Sequence, residues 1–142
     1  MKQILYVCAM ISLVFAVPVV QTGCQSTTTL EAGGVYTDAN LAKIDQSILG
    51  AAKTLDGFVS WHAANVAYLT KYPAVGELAE KVAAHRNEWI KNAYAARDAY
   101  AEAGVAYKQG KATSPTMAGV NAALSIINNI TAQINTYKSQ HS

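Results

Sequence analysis

Residues 74–108 read AVGELAEKVAAHRNEWIKNAYAARDAYAEAGVAYK, a stretch whose pattern is helical from end to end. Leu78, Val82, His85, Trp89, Ala93, Ala96, Tyr100, Ala103 and Tyr107 recur every three or four residues, the spacing that puts side chains on one face of an α-helix. Glu77 and Glu80 near the start and Lys108 at the end suit the helix dipole, and Gly110 supplies the usual C-terminal stop. The abundant alanines let a neighbouring helix approach closely. A helix this long with one apolar stripe needs partners that cover the stripe, and the sequence on either side supplies them.

Upstream, Thr37 or Asp38 is a good N-cap, and Leu41, Ile44, Ile48, Ala51, Leu55, Phe58, Val66 and Leu69 continue a helical stripe. Gly50 and Gly57 weaken that helix by about 1 kcal/mol each relative to alanine. Pro73 disfavours helix at Tyr72 and marks the break, so the first helix is expected over residues 38–71 and the second over 74–109. Downstream, Ser114 followed by Pro115 reads as an N-cap with proline at the first helical position. Met117, Val120, Leu124, Ile127, Ile130, Ile134 and Tyr137 then form the apolar face of a third helix over 115–140. No segment alternates as a strand does. The expectation is an all-α fold: an antiparallel three-helix bundle with long helices over residues 37–142. A third helix shorter than the other two, packed back from a turn near residue 112, would put position 138 level with 86. The hairpin tip from Trp61 to His85 would then project beyond it.

The chain has 142 residues, 11 basic and 9 acidic side chains and a net charge of +2. Loss of residues 1–23 would remove Lys2 and leave 10 against 9. So small a charge, scattered along the chain, excludes binding to nucleic acid through phosphate neutralisation. Charged residues make up only 14% of the chain, which leaves a core-forming composition with a mild surface. The two cysteines, Cys8 and Cys24, both lie near the N-terminus, so no disulfide framework is available to the helical part.

Met1-Lys2-Gln3 is short and positive, Ile4–Val20 is apolar apart from Ser12 and Pro18, and Gln21-Thr22-Gly23-Cys24 precedes a polar run rich in Ser and Thr. These are the parts of a secretory signal. The segment resembles the lipobox of bacterial lipoproteins, in which Leu-Ala/Ser-Gly/Ala-Cys is usual. Gly23 and Cys24 match, Thr22 is a tolerated variant, and Gln21 stands where leucine is usual. The resemblance implies cleavage between Gly23 and Cys24, diacylglycerol on the Cys24 thiol, and fatty acyl chains such as palmitate that hold the chain on a lipid bilayer. Gln25 after the cysteine favours the outer membrane over the inner one. Retention of Ile4–Val20 as an uncleaved anchor, or secretion with a free Cys24, are the alternatives; all three place the domain outside the cytoplasm. Residues 1–23 are thus read as signal peptide and 24–36 as lipidated N-terminus and flexible linker. The linker's Ser, Thr and Gly-rich chain spans at most about 40 Å when extended.

Chemistry-bearing residues are sparse. A hairpin centred on Pro73 would set His62 opposite His85, a candidate metal or small-ligand site, although two histidines without a nearby carboxylate or thiol are more often packing residues. Trp61, Tyr68 and Tyr72, near the hairpin tip, form a candidate partner-binding surface, since such aromatics dominate interface hot spots. Asp45, Asp56, Glu80 and Glu88 read as a solvated helix face. No G-x-S-x-G, S-x-x-K, H-E-x-x-H, Walker loop or calcium loop occurs, so neither catalysis nor a cofactor is expected. The function expected is that of a non-enzymatic lipoprotein of the cell envelope or periplasm that binds another envelope protein. One form of it is a phage- or host-encoded exclusion-type protein that blocks a receptor or channel.

Overall fold

The computed structural model describes residues 35–141. Thr37 is extended and its Oγ1 accepts the Asn40 amide at 3.1 Å, which caps the first helix, α1, over Asp38–Ala64. Ile44, Ile48, Ala51, Leu55 and Phe58 are its buried face, alternating steps of four and three. α1 stops seven residues before the expected 71. Asn65 leaves helical geometry, with its amide bonded to the carbonyls of Trp61 and His62 and its side chain donating to Trp61 O at 2.8 Å. A single turn, α2 (Val66–Leu69), follows and buries Leu69 while leaving Val66 exposed.

α3 runs Pro73–Lys108, with the proline in its first turn. Pro73 therefore starts a helix and does not sit in the middle of the turn, because its missing N–H costs nothing there. The far end closes as the sequence implies. Gly110 takes φ +69°, its amide bonds Tyr107 O at 2.9 Å, and the Lys111 amide bonds Ala106 O at 2.9 Å. α4 spans Ala118–Gln140 and starts three residues later than Ser114-Pro115 suggested. Ser114 is engaged elsewhere: its Oγ accepts the Tyr36 amide at 2.9 Å, and Met117 takes the N-cap place with no side-chain cap.

The three long helices pack on one another as an antiparallel bundle, with no strand among the described residues. The core joins Ile44, Leu55 and Phe58 of α1, Val75, Val82, Ala93 and Tyr100 of α3, and Val120, Ile127 and Ile134 of α4. On α3 the inward positions repeat every eleven residues, as in Leu78, Trp89, Tyr100 and in Val82, Ala93, Gly104. Eleven residues in three turns hold a stripe almost straight along a helix about 54 Å long. Arg86, Arg97 and Lys108 share this repeat at the edge of the stripe. They reach Asp56 at 2.6 Å, Asp45 at 2.8 Å and Asp38 at 2.8 Å on α1. Asp45 and Asp56 are thus rungs between helices and not members of a merely solvated face. The two rungs nearer the connection, Asp56–Arg86 and Asp45–Arg97, centre the hairpin at residue 71, about two residues before the Pro73 centre expected from the sequence, while Asp38–Lys108 centres at 73.

Hydrogen bonds from Asp45 first and Asp98 second hold the Arg97 guanidinium above the usual arginine range. The Asp38 hydrogen bond raises Lys108 above 10.5. A raised lysine contributes its stabilisation in full below its ordinary value and loses it as pH climbs through the raised one. Thermal melts of the parent and Lys108→Met should therefore keep a constant difference through neutral pH and converge only above about 10.5.

Gly57 faces open space on α1, with nothing within 4 Å of where a Cβ would lie. Gly57→Ala should raise stability by about 0.5–1 kcal/mol, read as a higher urea midpoint with an unchanged slope.

Tyr36, assigned to the linker by composition, is only 6% exposed. Its ring lies 5.1 Å from Tyr100 and fills the notch left by Gly104, where any Cβ would collide with the ring. The folded domain therefore begins no later than Tyr36.

Candidate functional site

The end of the bundle formed by the α1–α3 connection gathers most of the residues singled out for function. Trp61, on the last turns of α1, is half-buried and stacks on Phe58 at 5.8 Å. Tyr68 projects from α2 with 48% of its surface exposed, and Tyr72 stands just before Pro73, half-buried. The two phenols lie 3.5 Å apart, oxygen to oxygen, with ring centroids at 5.7 Å. The bond to Tyr72 and the repulsion between the two ionised rings hold the Tyr68 phenol above its usual 10, against a smaller opposing pull from Lys71. The Tyr68 phenol is therefore a neutral donor and acceptor at physiological pH, and both phenols are mounted on apolar rings that suit an amphipathic contact.

α4 completes this end. His141, which caps its C-terminus, lies 3.9 Å from the Tyr72 ring, and Lys138 Nζ sits 5.8 Å above Trp61, within cation–π range. The tip therefore does not project beyond the third helix. The segment 109–117 turns back along α3 toward Tyr36 before α4 begins, and the whole of α4 is displaced toward the tip. Sequence reasoning missed both contacts because it placed the start of α4 directly beyond α3. The signal available was the length of the 109–117 connection, too long for a tight helix–helix turn.

His62 and His85 do not meet. His62 Nε2 faces Gly76, 3.9 Å from where a Cβ would lie, while His85 stacks on Trp89 at 5.8 Å and approaches Glu88 at 3.5 Å on its own helix. Position 85 is nine residues beyond position 76, about 13 Å along the axis of α3. A two-residue shift of the hairpin centre moves each opposing position by about one turn and accounts for part of this displacement. His85 is also off the buried stripe, which steps from Val82 to Arg86. Among the described residues no group of three or more His, Cys, Asp or Glu side chains could hold a metal ion.

Gly23 and Cys24, the proposed cleavage and lipidation residues, lie outside the described residues, as do the signal segment and the linker to residue 34. Among the described residues no helix is long and apolar enough to cross a membrane. Comparison with known proteins finds no matching family, no matching curated protein and no matching solved structure.

Proposed function

We propose that the chain is a non-enzymatic lipoprotein of the bacterial envelope, anchored through Cys24, that binds another envelope protein with its aromatic tip. The observation that carries this reading is the position of Trp61, Tyr68 and Tyr72. They occupy the end of α1 opposite Tyr36, the residue through which the chain from Cys24 joins the bundle. α1 is about 40 Å long, so a lipid on Cys24 would leave the aromatic group on the side away from the bilayer. Tyrosine and tryptophan supply large contact area with few rotatable bonds, and the polar rims of Tyr68, Tyr72 and Lys138 give orientation. The tip's ring contacts suit binding more than turnover, since a nucleophile paired with a base is what turnover requires. Exclusion of a competing ligand from a receptor or channel is one activity such a surface would perform.

Crosslinking and pull-down from intact envelopes test the reading directly. The full-length protein should capture a defined envelope protein, and Tyr68→Ala with Tyr72→Ala should lose at least nine-tenths of that capture at unchanged helicity by circular dichroism. Equal capture by parent and double variant would remove the tip from the account.

A further inference from the structure

Between Lys111 and Lys138 the chain has no Asp, Glu, Lys, Arg or His, a run that takes in nearly all of α4. The inward face of α4 explains half of this: Val120, Leu124, Ile127, Ile130 and Ile134 belong to the core. The outward face is exposed, and charge would be expected there. It presents Ala122, Ser125, Ile126, Asn129, Gln133 and Thr136, with Ile126 51% exposed. α1 and α3 differ from it: both carry lysines and carboxylates on their outer surfaces. The column of α1 beside α4 carries one charge, Lys43, one turn before Ser47, and is uncharged from there to Trp61. Ser47, Thr54 and Trp61 recur every seven residues, and Lys138 over Trp61 places that column on the α4 side, while Asp38, Asp45 and Asp56 turn to α3.

We propose that this face docks a second copy of the chain, α4 against α4 and antiparallel, about a two-fold axis near Asn129. This inference is independent of the aromatic tip and of the lipid. Depletion of charge is the compositional mark of an interface core. A charged partner would have to desolvate its charges against an α4 face with no counter-charge, and the same face of another copy avoids that cost. Asn129 is the midpoint of α4, and its amide both donates and accepts, so two of them across an axis complement each other as two like charges would not. The same axis sets Ala122 level with Thr136 of the second copy and, because it keeps each residue on its own side of the seam, Ile126 beside Gln133 and Ser125 beside Ala132. The net charge of +2 leaves little long-range repulsion between copies. α4 is about 35 Å long and about 10 Å wide, and with the rows of α1 and α3 beside it the footprint is about 700 Å² per copy. The resulting total of about 1,400 Å² falls within the range of specific interfaces.

The test uses the full-length chain. Oxidation of cells producing Asn129→Cys should yield a species of twice the chain mass, well above that from the parent or from Ala84→Cys, an exposed position on α3. Sedimentation of the purified parent should show a reversible dimer, and Asn129→Asp, which sets two carboxylates against each other, should raise its dissociation constant at least tenfold. A single-chain mass at every concentration would overturn the proposal. So would a dimer indifferent to Asn129→Asp, or crosslinking of Asn129→Cys no stronger than that of Ala84→Cys or directed to a different protein.

Discussion

Gly104→Ala should destabilise the bundle by about 1–3 kcal/mol, although alanine is the better helix former by about 1 kcal/mol. Two effects of opposite sign meet at this position, and the geometry decides between them. A Cβ at 104 would collide with three carbons of the Tyr36 ring, and that residue is held by several contacts. Tyr100 lies 5.1 Å away, Lys108 Nζ sits 5.4 Å from the ring centre, and the Tyr36 amide is bonded to Ser114. The ring cannot retreat without giving up these contacts, so overpacking outweighs propensity. The same reasoning makes the sign reversible. In a Tyr36→Ala background the notch is empty, and Gly104→Ala should then stabilise by about 0.5–1 kcal/mol while Tyr36→Ala alone costs about 3 kcal/mol. Urea denaturation of the four proteins measures the cycle. A Gly104→Ala protein more stable than its parent with Tyr36 intact would show that the ring does not occupy the notch.

The periodicity of α1, α3 and α4 carried the fold, because a stripe at helical spacing is set by residues close in sequence. Thr37 as N-cap and Gly110 as C-terminal stop were equally local, and both stand where the sequence put them. The readings that moved depend on contacts between distant residues. Ser114 has the chemistry of an N-cap, yet a hydrogen bond to Tyr36, 78 residues away, takes its side chain, and no local pattern announces that partner. Pro73 is as compatible with the first turn of a helix as with a break, and taking it as the centre of the turn set His85 wrongly opposite His62. The ladder of Arg86, Arg97 and Lys108 was legible in principle as an eleven-residue repeat. It was obscured because His85, one residue from the true stripe, continued an apparent run of spacings by three and four. The exposed tip residue Tyr68 was placed correctly by its neighbourhood, whereas the contribution of α4 through Lys138 and His141 needed the path of residues 109–117.

On the lipoprotein reading proposed above, Cys24→Ser should move the protein out of the membrane fraction almost completely and remove the mass of the acyl chains. Serine keeps the size and most of the polarity of cysteine but offers no thiol to receive diacylglycerol. Each buried methylene contributes about 0.8 kcal/mol, and one chain binds reversibly whereas two or three hold almost permanently, so loss of the acceptor converts near-complete retention to none. The parent chain, measured by mass spectrometry, should begin at position 24 and carry two or three acyl groups. An intact Met1, or an unmodified sulfur at position 24, would sink the lipid reading. The variant is expected to separate anchoring from folding, since position 24 stands twelve residues before Tyr36 in the sequence. Melting temperatures of parent and variant should therefore agree. The extended chain between the two residues covers at most about 40 Å and α1 a further 40 Å, so an anchored molecule would work within about 80 Å of its bilayer. A partner captured by the parent in envelopes and lost in Cys24→Ser, with the tip unaltered, would show that this short radius, and not affinity alone, selects what the tip meets.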